Sequence, residues 1–199
     1  MVTVNGRKGV NYVSIMTSAG MILAGGKSLR MGQDKALLPY QGLSLLEHMQ
    51  EILKPVTLSN IYISHSDYIA DCIADKGPLG GIYSVVQGLP KQVSFLLIIP
   101  VDMPLLQPEL LQVLVNKAIL NKPVACHYQD ALFPLLLPIN SVVKERLKQA
   151  VSSYQKTYSV RWLLEKITVD ILPLNQEDLS AFINTNTPEQ WALLMKEKK

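Results

Sequence analysis

An α/β fold, with a mostly parallel central sheet and helices on both faces, is predicted by three features of the sequence. Strand-like and helix-like segments alternate along most of the chain. Residues 95–99 form an unbroken apolar run of strand length, the pattern of a strand covered on both sides. Residues 18–23 are also apolar and run directly into Gly25-Gly26, as a strand does when it opens into a loop.

The elements follow in order. After the strand at 18–23, residues 44–53 place Leu45, Leu46, Met49, Ile52 and Leu53 at helical spacing, and Pro55 ends that helix. Residues 60–64 are a short strand. Residues 77–81 are expected as a turn and 82–89 as a helix. The central strand at 95–99 precedes a helix over 108–120. Residues 123–128 and 131–137 flank Gln129-Asp130 and are expected as two antiparallel strands. Helices at 142–151 and 160–166 precede a strand at 167–172. Thr187-Pro188-Glu189-Gln190 combines an N-cap threonine, a proline at the first helical position and a capping-box glutamine. It starts a helix that runs towards Lys199.

The 199 residues suit one domain, since single domains run to roughly 100–200 residues. Residues 1–15 are expected as an N-terminal arm and residues 16–199 as the domain, with Met16 a candidate start. The two cysteines, Cys72 and Cys126, are far apart, so no disulfide framework is implied and a reducing, cytoplasmic setting is expected. A net charge of +3, with basic residues scattered apart from a Lys196–Lys199 tail that reads as a solvated helix end, is too mild to imply a nucleic-acid surface. The apolar runs at 95–101 and 131–139 are short and broken by Pro100, Pro134 and Pro138, so no membrane span is expected. Arg7 and Lys8 before a partly apolar stretch imitate a secretory signal, but Asn11, Tyr12, Ser14, Thr17 and Ser18 make that stretch too polar. His48, His65 and His127 lack the regular spacing of a metal cluster, and His48 reads as a structural or surface residue of its helix.

Residues 23–35 are the richest stretch. Two glycines at a strand end let a ligand approach the backbone, and successive amides in such a turn make an anion-binding concavity. Arg30 and Lys35 add positive charge beside it, which favours a polyphosphate. A plain solvated turn with incidental basic residues is the competing account. Gly26-Lys27-Ser28 matches the end of a Walker A loop, but its leading glycine would fall at Met21, and G-x-G-x-x-G is absent. Downstream, Ile98-Ile99-Pro100-Val101-Asp102-Met103-Pro104 ends an apolar strand in a carboxylate. Asp102 there either coordinates a hard cation bridging phosphate oxygens or caps the turn.

Leu23, Ala24, Gly25, Gly26, Ser28, Arg30, Met31, Gly32, Asp34 and Lys35 together resemble the signature of the MobA family. These nucleotidyltransferases make molybdopterin guanine dinucleotide. The resemblance implies a Rossmann-like three-layer fold of the nucleotide-diphospho-sugar-transferase type, in which the loop wraps a triphosphate. Arg30 and Lys35 would neutralise charge during transfer, and the double glycine looks like the guanine-using members. The segment around Asp102 is similar to the family's metal-binding C-D-x-P, with Val101 in place of the frequent cysteine.

Residues 71–81 resemble the family's D-x-x-x-x-x-G-P-L-A-G, with Gly80 where alanine is usual. This implies nucleotide contacts from Gly77, Pro78 and Leu79 and from an upstream aspartate, Asp71 by spacing with Asp75 as competitor. Ser64 stands where family members often carry an asparagine that contacts the guanine nucleotide; a hydroxyl lacks the amide's paired groups. Phe182-Ile183-Asn184-Thr185-Asn186-Thr187-Pro188 resembles the family's F-x-N-x-N-T-P. This implies a pterin-side role for Asn184 and Asn186, although amides there also satisfy turn backbone. Residues 159–163 are weakly similar to a family segment, and Phe133-Pro134 departs from the pattern, which usually has a polar residue before the proline.

Taken over Met21 to Trp191, the resemblance implies transfer of GMP from GTP to the phosphate of molybdopterin, usually molybdenum-loaded, with release of pyrophosphate. Arg30, Lys35 and Asp102 are the expected catalytic residues, and Asp102 the ligand of Mg2+. Molybdoenzyme apo-proteins or their chaperones would be partners. The alternatives are a nucleotidyltransferase using CTP or acting on a sugar or alcohol phosphate, and a non-catalytic protein that delivers the cofactor.

Overall fold

The computed structural model describes residues 17–25, 34–57, 59–64, 76–120, 124–153 and 157–196. In chain order its elements are β1 (Thr17–Leu23), a 3-10 turn at Lys35–Leu37, β2 (Pro39–Tyr40), β3 (Leu43–Ser44), α1 (Leu45–Leu53), β4 (Ile61–Ser64), α2 (Pro78–Gly88), β5 (Val93–Pro100) and α3 (Pro108–Leu120). They continue with β6 (Ala125–Tyr128), β7 (Ala131–Pro138), α4 (Ser141–Ser152), α5 (Val160–Leu164), β8 (Val169–Leu172), a 3-10 segment at Gln176–Phe182 and α6 (Pro188–Lys196). The expected arm at 1–15 lies outside the described residues.

Six strands form the central sheet in the order β4-β1-β5-β7-β6-β8. β1 runs parallel to both β4 and β5, and β6 runs parallel to β8. β7 alone runs the other way, antiparallel to β5 and to β6. Its reversal follows from the tight connection at Gln129-Asp130, where Asp130 adopts φ 60°, a left-handed conformation that aspartate tolerates.

Alternation along the central strands divides the core between the two faces. Ile22, Phe95, Leu97, Ile99 and Leu136 pack on one side with Leu45, Met49 and Leu53 of α1 and with Leu111 and Leu114 of α3. Ala19, Met21, Leu96, Ile98, Leu135 and Leu137 pack on the other with Ile82 and Val85 of α2, Val143 and Leu147 of α4, and Leu163 of α5. Every residue from Phe95 to Ile99 is buried, which is why the run lacks polar alternation. Helices on both faces of a mostly parallel sheet are thus the observed architecture.

The helix signals act as the sequence suggests. The Ser44 hydroxyl accepts from Glu47 N at 3.2 Å while Glu47 Oε2 accepts from Ser44 N at 2.8 Å, a reciprocal capping box at the start of α1. At α6, Thr187 Oγ1 accepts from Gln190 N at 3.3 Å and Gln190 Oε1 accepts from Thr187 N at 3.1 Å.

Three expectations need correction. Residues 78–81 are the first turn of α2 rather than a separate loop. Pro78 is preset for a first helical position, and Gly77, at φ 59° and ψ −154°, makes the reversal that only glycine adopts freely. α5 stops at Leu164, short of Lys166, and β8 starts at Val169 rather than Ile167. The hairpin of β2 and β3 and the two 3-10 segments have no counterpart among the expected elements.

Candidate active site

The chain leaves β1 towards β4 on one side and leaves β5 towards β7 and β6 on the other. The carboxyl ends of β1 and β5 therefore flank a topological switch point, where open α/β sheets bind ligands. Leu23 pairs with Pro100 across this point, and Val101 N donates to Leu23 O at 3.0 Å. On the other flank, Ala24 N donates to Ser64 O at 3.1 Å. The first residues of the glycine-rich loop are thus strapped between β4 and β5. Gly25 is favoured there by close approach, since a Cβ would fall 3.2 Å from the Ser64 carbonyl oxygen and crowd that backbone.

The loop re-enters the described structure at Asp34, whose Oδ1 accepts from Ala36 N at 2.9 Å and starts the 3-10 turn. That turn aims Lys35 back at the switch point. Lys35 Nζ donates to Asn186 Oδ1 at 2.7 Å and lies 3.6 Å from Asp102 Oδ2. Residues 151 apart in sequence meet in the first of these contacts. The side chains of Lys35 and Asp102 keep 13% and 20% of their exposure, so the pair is largely desolvated yet still partly accessible.

The segment that carries Asn186 is itself fixed to the Asp102 turn. Thr185 N and Thr185 Oγ1 both donate to Asp102 O, at 2.9 and 3.3 Å. Thr185 is one of few buried polar residues among those described, while Asn184 is exposed and Asn186 half-buried. Sequence reasoning singled out the asparagines and missed the threonine between them. Its signal was the alternation of extended chain: a residue flanked by two outward-facing neighbours faces inward. The resemblance placed Asn186 at the pterin side; in the structure it contacts Lys35 directly.

The other expected residues are distributed as follows. Ser64 is buried at the end of β4, its hydroxyl oxygen 3.7 Å from where a Cβ on Gly25 would sit. Gly77 and Pro78 are exposed at the start of α2. The Leu79 side chain is buried in the core, so only its backbone is left to meet a ligand. Gly26, Arg30 and Asp71, with its competitor Asp75, lie outside the described residues.

The donor set suits a metal carried by its substrate. No group of three or more His, Cys, Asp or Glu side chains gathers among the described residues, so an all-protein cage is not formed there. Asp102 offers a hard, partly exposed oxygen donor just beyond the end of β5, and Mg2+ commonly takes one or two carboxylates plus substrate phosphates. A cysteine nucleophile finds no support in Cys126, since burial, the largest cause, pushes its thiol up to about 11. No helix of the described residues is long and apolar enough to cross a membrane.

Comparison with known proteins identifies the family and the fold. Residues 20–171 match the family model described as the MobA-like NTP transferase domain. The chain is 37% identical over 182 residues to a molybdenum cofactor guanylyltransferase of Xanthomonas euvesicatoria pv. vesicatoria, covering 89% of this chain and 94% of the relative. It is 30% identical over 183 residues to a probable molybdenum cofactor guanylyltransferase of Flavobacterium johnsoniae, covering 87% and 94%. Among solved structures it is similar to molybdopterin-guanine dinucleotide biosynthesis protein A of Archaeoglobus fulgidus, with a TM-score of 0.71 at 20% identity, covering 91% of this chain and all of the other.

Proposed function

The chain belongs to the MobA-like NTP transferase family, and on that premise we propose that it transfers GMP from GTP to the phosphate of molybdopterin, releasing pyrophosphate. It is a nucleotidyltransferase. The observation that carries the reading is the meeting of Lys35, Asp102 and Asn186 at the switch point between β1 and β5.

In the reaction an oxygen of the acceptor phosphate forms a bond to the α-phosphorus of GTP. The bond from that phosphorus to the bridging oxygen breaks, and pyrophosphate leaves. The acceptor phosphate is already anionic at neutral pH, so no general base is required. The protein contributes positioning and charge complementarity. Lys35 would turn from Asp102 to the phosphate oxygens, where its ammonium offsets charge on the transferred group and on the leaving pyrophosphate. Asn186 Oδ1 accepts from that ammonium at 2.7 Å and limits its drift. Arg30 would assist from the loop, and the glycines would admit the phosphates to backbone amides.

Members of the family typically use a divalent metal, and for this chain Mg2+ held by Asp102 is the natural choice. When bound, it would neutralise phosphate charge and polarise the α-phosphoryl group. The Lys35–Asp102 pair makes chemical sense beside it. Each member compensates the other's charge before substrate arrives, and a metal–nucleotide complex brings a cation for Asp102 and anions for Lys35. Gly77, Pro78 and the Leu79 backbone would receive the base or ribose, with Asp71 and Ser64 beside them. Asn184, exposed next to Asn186, would face the pterin. The scarcity of cysteine and the lack of a spanning helix among the described residues favour a cytoplasmic enzyme.

Thermal shift tests the choice of nucleotide. With Mg2+ and GTP at about a hundredfold excess over Kd, binding adds about 2.7 kcal/mol, which raises Tm by about 5–10 °C for a protein of this size. ATP, CTP and UTP at the same concentration are expected to give smaller shifts. A larger shift with CTP would favour the cytidine-using alternative, and no shift with any nucleotide would contradict the reading.

A further inference from the structure

We propose that His48 is a positioning residue, which fixes the metal-binding carboxylate of Asp102 by clamping the turn after β5 from helix α1. The proposal rests on the guanylyltransferase reading above. The described contact of the Asp102 carboxylate is the 3.6 Å ion pair with Lys35, which is beyond hydrogen-bond length. The carboxylate is therefore aimed by the backbone of its own turn.

That turn is tied down at successive points. Val101 N donates to Leu23 O and Thr185 holds Asp102 O. The third anchor is His48, whose Nε2 lies 2.9 Å from Pro104 O. A carbonyl only accepts, so Nε2 carries the hydrogen in this contact. Proline has no N–H, which leaves this carbonyl as the sole backbone group by which Pro104 can be held.

The ring of His48 connects the clamp to the rest of the site. It packs edge-on against Tyr40 with centroids 4.6 Å apart, and Tyr40 faces Trp191 at 5.8 Å. Tyr40 follows the turn that bears Lys35, and Trp191 belongs to α6, whose cap follows Asn186. One ring cluster thus touches the segments that supply Lys35 and Asn186, and its histidine holds the segment that supplies Asp102. Mg2+ demands near-ideal octahedral geometry at about 2.0–2.1 Å, so a small drift of the turn degrades the site. Partners that orient a metal ligand typically change metal affinity by about 10–100-fold when lost.

Two variants separate donation from packing. His48→Phe keeps a ring against Tyr40 and loses the donor, whereas His48→Gln keeps a donor and loses the ring. Free Mn2+ measured by electron paramagnetic resonance, with GTP present, reports metal affinity without turnover. His48→Phe is expected to weaken Mn2+ binding about tenfold and to lower kcat by a similar factor, with little change in KM for GTP or in Tm. His48→Gln is expected to restore most of the affinity. If phenylalanine is not accommodated, His48→Leu read against His48→Gln is expected to give the same split. Wild-type Mn2+ binding in His48→Phe, or equal losses in the phenylalanine and glutamine variants, would overturn the proposal alone. Failure of the wild-type protein to bind Mn2+ with GTP would overturn the guanylyltransferase reading as well.

Discussion

Asp102→Ala is expected to lower guanylyl transfer by at least about a thousandfold, at the upper end of what a single lost electrostatic group costs. The fold should remain. The Asp102 carboxylate keeps 20% of its exposure and its described contact is the 3.6 Å ion pair with Lys35, whose ammonium retains its bond to Asn186 Oδ1 when the carboxylate is lost. The turn keeps its anchors because these are backbone contacts: Thr185 reaches Asp102 O, and Val101 N reaches Leu23 O. Pyrophosphate release measured beside a melting curve separates the two effects. Activity should collapse while Tm moves by no more than a few degrees. Transfer at the wild-type rate would remove Asp102 from the chemistry.

Lys35→Ala is expected to cost about 10²–10³-fold in kcat, or about 3–4 kcal/mol of transition-state stabilisation. The lysine is held by Asn186 Oδ1 at 2.7 Å and paired with the Asp102 carboxylate at 3.6 Å. Its contribution should therefore appear in kcat more than in KM. The double variant with Asp102→Ala should lose less than the product of the single losses, because the two groups serve one charge distribution. Single-turnover rates at saturating GTP check this directly. An unchanged rate in Lys35→Ala would count against charge neutralisation by the loop.

The parts of the fold that were legible in the sequence are those where periodicity is long enough to register. The buried run from Phe95 to Ile99 and the helical spacing of Leu45, Leu46, Met49, Ile52 and Leu53 correspond to β5 and α1. The β2–β3 hairpin escaped because each strand has two residues, too few for alternation. Its turn is made by Gln41 at φ 52° and Gly42 at φ 83°. Glutamine in the position where asparagine or aspartate is usual removed the hairpin's sequence signal. The start of α2 was displaced because Gly77, Gly80 and Gly81 read as punctuation, whereas Gly80 and Gly81 are buried helix residues.

The candidate site divides in the same way. Lys35 and Asp102 lie in local motifs, each with a chemical reason visible in a few neighbouring residues. Their meeting with Asn186 depends on the segment before α6 being tied to Asp102 O through Thr185, which no local pattern encodes. Thr185 and His48 act through backbone carbonyls rather than through a ligand, so neither carried a functional signature. Both became visible only through the partners the fold gives them, Asp102 O and Pro104 O.

On the proposed function, the loop, Lys35 and Asp102 join a guanylyl group to molybdopterin. Incubation of the protein with molybdopterin, GTP and Mg2+, followed by mass identification of the product, tests it most directly. The expected result is molybdopterin guanine dinucleotide together with stoichiometric pyrophosphate, and neither product when Mg2+ is withheld. A cytosine dinucleotide formed when CTP replaces GTP, with no guanine product, would contradict the choice of base. Molybdopterin recovered unmodified, with no pyrophosphate, would contradict the account as a whole.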